Sequence, residues 1–195
     1  MQHSDWYSHA QEACLLLPIR SGWNYPPPKK WNNGEYTAPS IQTILDLGKN
    51  IGVGMREGYI LVDADSAEKV AEIEADLGGV KTLSTTTPRG VQWVFSGGKG
   101  IGQTAGKSAY GEGVDVRTAM DGYGMGPGSV RTLKSYTKRD GDESKAPDTN
   151  GGPWSYEPRH TVPIQPLPEK VAKKLLPKHT PVPYTHLTLP TIYPV

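Results

Sequence analysis

The stretch 58–70, GYILVDADSAEKV, decides how the chain is read. An apolar run climbs to two carboxylates, Asp63 and Asp65, and a helix pattern begins at once. Apolar runs of this length, rich in branched residues, are strands, and side chains two apart on a strand share a face. The two acids therefore point the same way, where they repel each other, and partial burial raises the pKa of at least one. A divalent cation resolves that conflict, because Mg²⁺ takes carboxylate oxygens and leaves positions for phosphate. The simpler alternative is that Asp65 or Ser66 caps the following helix while Asp63 is solvated at the strand end.

Working outward, "NIGVGM" reads as a strand before the acid-bearing one, with a tight turn at Arg56–Gly58 between them. "SAEKVAEIEADLGG" is a helix with Val70, Ile73 and Leu77 on one face and a glycine stop. "SIQTILDLG" is a shorter one, with Ser40 as N-cap. Residues 5–16 carry an amphipathic helix pattern that runs into "CLLLPI". "VKTLSTTT" and "VQWVFS" are strand-like around a Pro88–Gly90 turn, and "GVDVRT" and "YGMGPGSV" follow a glycine-rich stretch, 97–113. "LPEKVAKKLLP" closes the pattern as a basic helix. Strands alternating with helices and ending in hairpins predict an α/β or α+β fold, an α+β arrangement of α/β-type mix, rather than an all-β barrel.

A third acid, Asp115, alternates with Val114 and Val116 and shares its strand face with Arg117. On a neighbouring strand it would complete a carboxylate cluster for two metals, with Arg117 available to phosphate. The alternative is an ordinary Asp–Arg surface pair, which contributes little. "GIGQTAGKS", 100–108, imitates a phosphate loop, but Ile101 stands where the first glycine is needed and nothing after it opens a helix. It is read as turn glycine, with Lys107 left as a phosphate contact from a loop.

Composition narrows the function classes. A net charge of +1 advertises no overall basic field, so nucleic-acid binding requires a local patch. The single cysteine, Cys14, excludes an internal disulfide and is read as a core thiol in a reducing cytosol. The histidines are His3, His9, His160, His179 and His186, which argues against a histidine-rich zinc site or a serine–histidine triad in the core. No apolar run reaches membrane-spanning length. Cytoplasmic localisation is the expectation. The 23 glycines and 18 prolines imply much loop and turn.

In order, these pieces resemble the bifunctional DNA primase/polymerase N-terminal domain of plasmid and phage replication proteins, in the archaeo-eukaryotic primase superfamily. "NIGVGMREGYILVDAD" is similar to that family's first motif, "TTTPRGVQWVF" (85–95) to its second and "GEGVDVRTAMDGYGMGPGSV" (111–130) to its third. "GGPWSYEP" and "PLPEKVAKKLL" are similar to its closing segments, displaced by a polar insertion at about 132–150. The resemblance implies an N-terminal α/β unit packed on an RRM-like sheet unit. It implies a catalytic domain over 1–165 and a basic helix and linker over 166–182. The last dozen residues, "YTHLTLPTIYPV", read by themselves as foreign to the fold, so about 183–195 is set aside as a non-native tail.

It further implies template-directed nucleotidyl transfer, with two Mg²⁺ or Mn²⁺ ions held by Asp63, Asp65 and Asp115. Gln92 stands where the family presents a histidine to the triphosphate, and glutamine cannot carry positive charge. Arg117, Lys29, Lys30, Arg89 and Ser129 are the other nucleotide-binding candidates, and Trp93 and Tyr123 are candidates for stacking on template, with burial in the core as their other reading. The implied partners are single-stranded DNA template, NTP or dNTP, and a helicase domain or protein. Two alternatives remain at this point: a degenerate module that binds nucleotide or single strands without catalysis, and a metal-dependent nuclease on the same acids.

Overall fold

The computed structural model describes residues 3–24, 27–105, 108–119, 121–132 and 153–176. The expected insertion, from 133 onward, the 183–195 tail, Lys107 and the end of the linker lie outside the described residues. Among the described residues no helix is long and apolar enough to cross a membrane.

The acid-bearing stretch is β3 (Tyr59–Ala64), and it occupies the middle of the larger sheet. It pairs antiparallel with β5 (Val91–Ser96) on one side and β7 (Val114–Arg117) on the other. β4 (Ser84–Thr86) and β11 (Glu157–His160) extend the sheet beyond β5, and β6 (Thr104–Ala105) extends it beyond β7. β12 (Gln165–Pro166) adds a short parallel pairing to the end of β5. α3 (Ala67–Leu77) connects β3 to β4, so the order β4-β5-β3-β7 with its crossover helix is the RRM-like arrangement the resemblance implied. Ser66 caps α3 through a bond accepted from the Lys69 amide, and Gly78 ends it at φ 59°. That left-handed turn suits glycine.

Alternation divides this sheet into two faces. Ile60, Val62, Ala64, Val91, Trp93, Phe95, Val114 and Val116 point to one side and bury against α3 and the C-terminal helix α4 (Glu169–Leu175). The other face carries Leu61 and Val94, which pack under a second, smaller sheet and α1 (His3–Ala10). That second sheet is antiparallel in the order β1 (Cys14–Ile19), β2 (Asn50–Met55), β8 (Tyr123–Met125). "CLLLPI" is thus its edge strand rather than the end of a helix, because three consecutive leucines bury better between sheet and loop than on one helical stripe. β2 and β3 follow one another across the Arg56–Gly58 turn, yet belong to different sheets. α2 (Ile41–Asp46) starts at Ser40, whose hydroxyl accepts from the Thr43 amide, as its sequence predicts. β9 (Val130–Arg131) and β10 (Trp154–Ser155) form a two-stranded ribbon across the insertion.

Two close approaches hold these layers in place. Trp31 lies flat against Gly54, where a Cβ would stand 2.5 Å from the ring. Gly90, in the turn before β5, sits against the carbonyl oxygen of Ala64, where any side chain would collide with backbone. The same turn is closed by the Thr87 amide donating to the Gly90 carbonyl and by the Gly90 amide donating to the Thr87 hydroxyl.

The helices also anchor the approach to β7. Asp76 of α3, nearly buried, accepts from Lys174 at 2.6 Å, from Lys170 at 2.9 Å and from the Tyr110 hydroxyl at 2.9 Å. The Lys174 bond leads in holding its carboxyl down at about pKa 2. Lys69 donates to the Tyr110 carbonyl, and the Ala109 amide to the Lys174 carbonyl.

Replacing Gly90 by alanine is expected to cost about 1–3 kcal/mol in urea unfolding, the range of an overpacked site. Gly102→Ala, where a Cβ would meet nothing within 4 Å, should remain within about 0.5 kcal/mol of the natural protein.

Candidate active site

Cross-strand register builds the site. Asp63 stands directly opposite Gln92 of β5 and directly opposite Asp115 of β7. Directly paired residues share a face and lie about 5 Å apart, so Gln92, Asp63 and Asp115 form one row across three strands. Thr85 of β4 extends the row beyond Gln92. Arg117 stands opposite Leu61, one step further in on the same face. Asp65 follows the end of β3, where its amide donates to the Gly113 carbonyl at 2.8 Å and keeps it beside the start of β7. The row begins where the cover of the smaller sheet stops: at Gly124 of β8, a Cβ would stand 2.6 Å from the Gln92 side-chain oxygen.

Each acid has a different electrostatic environment. Gln92 Nε2 donates to Asp63 Oδ2 at 3.2 Å, while Asp63 Oδ1 and Gln92 Oε1 are buried without a hydrogen-bond partner. Burial, reinforced by the charge of Asp65, pushes the Asp63 carboxyl up to about 7. Asp65 is raised by burial and opposed by Arg89, whose guanidinium meets it at 2.9 Å. Arg117 holds Asp115 at 2.9 Å. The Arg89 side chain is 59% exposed, and ion pairs in such settings contribute only about 0–1 kcal/mol. The Arg89–Asp65 pair is therefore readily exchanged.

Among the described residues no three His, Cys, Asp or Glu side chains stand as a ready-made metal-binding group. Two of the three acids instead face arginines. The donor set nevertheless suits a hard divalent cation: three carboxylates lie at adjacent positions, and the buried Asp63 Oδ1 lacks a partner.

The structure brings Asp63, Asp65, Asp115, Gln92, Arg89 and Arg117 together. Trp93 and Ser129 do not join them. Trp93 is 1% exposed in the core beneath α3 and α4, because it alternates with Gln92 to the opposite face, so it has no surface for stacking on template. The Ser129 hydroxyl is fully buried, accepting from the Ile51 amide at 2.8 Å and donating to the Ile51 carbonyl at 3.2 Å. It ties β2 to the residue before β9 and has no group left for a phosphate. Tyr123 is half-buried edge-on against Trp31, with its hydroxyl donated to the Asn24 carbonyl at 2.6 Å, and acts as a packing residue. Lys29 and Lys30 are exposed on the loop that carries Trp31, Lys30 in the left-handed region at φ 58°.

Two residues outside the sequence reading belong to the rim. Arg131, 8% exposed, stacks its guanidinium over Trp154 at 5.8 Å and bonds the Tyr156 hydroxyl. Tyr156 in turn feels the charges of Asp63 and Arg89; burial chiefly raises its pKa, and Arg131 opposes the shift. The strand alternation of "SVRT" was the available signal for Arg131. Its meeting with Trp154 and Tyr156 depends on a pairing across the insertion.

The fold and site define a mixed α+β domain whose central sheet presents an acid row flanked by arginines. A family model described as bifunctional DNA primase/polymerase, N-terminal, matches residues 7–170. The chain belongs to that family, and the class of activity the family implies is primase/polymerase nucleotidyl transfer in DNA replication. No curated protein matches the chain at a significant level.

Because the Asp63 carboxyl is raised from an ordinary 3.8 to about 7, its burial costs nothing below pH ~4. The full penalty applies above pH ~7. In EDTA, Asp63→Asn should match the natural protein at pH 4 and be more stable at pH 8, with the difference growing between these values. Paired thermal melts across that range measure it.

Proposed function

We propose that the chain carries out template-directed nucleotidyl transfer as a DNA primase/polymerase of plasmid or phage replication, using two Mg²⁺ or Mn²⁺ ions. The observation that carries this reading is the row Gln92–Asp63–Asp115, with Asp65 and two arginines at its edge. Asp63, Asp65 and Asp115 would hold the ions. Bound there, the ions supply Lewis-acid stabilisation of the attacking 3′-oxygen and the leaving pyrophosphate.

The remaining work falls to the chain itself. Arg117 and Arg89 offer guanidinium forks that match phosphate oxygens. Gln92, fixed by its bond to Asp63, offers the phosphates a neutral amide in place of a cation. β3, β5 and β7 keep the acids in register, so that little reorganisation accompanies the reaction. Gly124 packs against Gln92 and limits water on that side of the row. Template lies along the edge of the acid row, where the exposed Arg89 supplies local positive charge to an otherwise nearly neutral chain.

A primer-extension assay with template, dNTPs or NTPs and Mn²⁺ tests this. Product from the natural protein is expected, with Asp63→Asn and Asp115→Asn each slower by roughly 10²-fold or more, the scale of losing several kcal/mol of metal-borne stabilisation. If the natural protein and both variants give the same background, the polymerase reading is wrong. The neutral amide of Gln92 favours one second reading, a domain that binds nucleotide or single strands without catalysis. Such a domain would retain single-stranded DNA in EDTA and yield no product.

The amide also sets the expected effect of restoring the family's residue. Gln92→His should lower the nucleotide KM about 3- to 10-fold below pH ~6.5, where imidazole is protonated, and converge on the natural protein above pH 8. Steady-state kinetics across that range measure the shift.

A further inference from the structure

We infer that Arg89 and Arg117 are exchangeable counter-ions, which occupy the carboxylates of Asp65 and Asp115 without a divalent ion and transfer to the nucleotide's phosphates when metal and triphosphate enter. The inference rests on the proposed nucleotidyl-transfer reading and assigns a regulated resting state to that same site.

Four observations carry it. Arg89 and Arg117 each contact, at 2.9 Å, one of the two acids beside Asp63, so two of the three expected ligands are neutralised by the chain itself. Among the described residues Asp63 takes a hydrogen bond from the Gln92 amide, and its Oδ1 is buried without a partner. The arginine pairings are incomplete, since Arg117 Nε is buried with no acceptor. Arg89 can also turn away by local rotation, since its side chain is more than half exposed on a short turn.

Guanidinium and a divalent cation compete for the same carboxylate oxygens, whereas guanidinium and triphosphate attract. The arginines therefore oppose binding of metal alone and favour binding of metal together with triphosphate. Free cation is kept off the acids until nucleotide arrives, and nucleotide binding releases the carboxylates it needs. A plain phosphate-binding role predicts only the second effect. A plain structural role predicts neither.

The test measures two affinities on the whole chain, neither requiring turnover. Mn²⁺ alone is titrated against the natural protein, Arg89→Ala, Arg117→Ala and Arg89→Lys, with free Mn²⁺ read by electron paramagnetic resonance. A non-hydrolysable dNTP is then titrated calorimetrically at saturating Mn²⁺. Each alanine variant should bind Mn²⁺ alone about 3- to 10-fold more tightly and the dNTP about 10-fold or more weakly, while Arg89→Lys, which keeps the charge, stays near the natural protein in the metal titration. Urea unfolding of the same variants identifies any that fail to fold, and Arg89→Lys against Arg89→Ala then carries the comparison at the more exposed position.

Metal affinity that is unchanged or weaker in the alanine variants overturns the exchange, even if primer extension succeeds. Opposite shifts in the two affinities with no extension product would sustain the exchange and defeat the polymerase reading. A natural protein that binds neither Mn²⁺ nor dNTP defeats both.

Discussion

The central position of β3 is the constraint on which the other features depend. One strand has to satisfy two environments: an apolar layer under α3 and α4 on one side, and on the other a short cover of α1 and β1-β2-β8 that gives way to the acid row. Period-two alternation makes this possible without any break in the ladder. Val62 and Ala64 remain in the core while Leu61 and Asp63, on the opposite face, pass from apolar to acidic within two residues. A slip of β3 by one residue would turn Asp63 under the helices. The many apolar partners on the helix side make that slip prohibitive.

The same register explains how an unfavourable feature is retained. A buried carboxylate beside like charges destabilises the chain, and proteins keep such groups where chemistry needs them. Here the cost is confined to a few atoms. Arg89 and Arg117 neutralise the outer acids, Gln92 gives Asp63 one hydrogen bond, and the remaining conflict is concentrated on Asp63 Oδ1. That concentration of unmet demand is what makes Asp63 the centre of the proposed site.

Much of this was legible in the sequence because it is local. Strand alternation exposed Asp63, Asp65 and Asp115; Ser40 and Ser66 marked helix starts; the glycine after Leu77 marked a stop. Alternation alone also carried the information that Trp93 must face away from Gln92, a consequence that the motif resemblance obscured. What was not legible is non-local. That β2 and β3 part into separate sheets, that "CLLLPI" forms an edge strand, and that Ser129 clasps β2 all depend on contacts between distant segments. The rim formed by Arg131, Trp154 and Tyr156 is assembled across the insertion, which no spacing rule reaches.

The lysine clamps on Asp76 and Tyr110 bear on the stiffness of the acid row. Asp115 follows a glycine-rich run that has little conformational preference of its own, so its placement cannot originate there. Lys69 and Lys174 instead seize Tyr110 and its neighbours from two helices on the far side of the sheet. Precision at the third carboxylate is thus imported from the back of the molecule: the helical layer works as a jig, and its half-covered ion pairs govern alignment at a row they never touch.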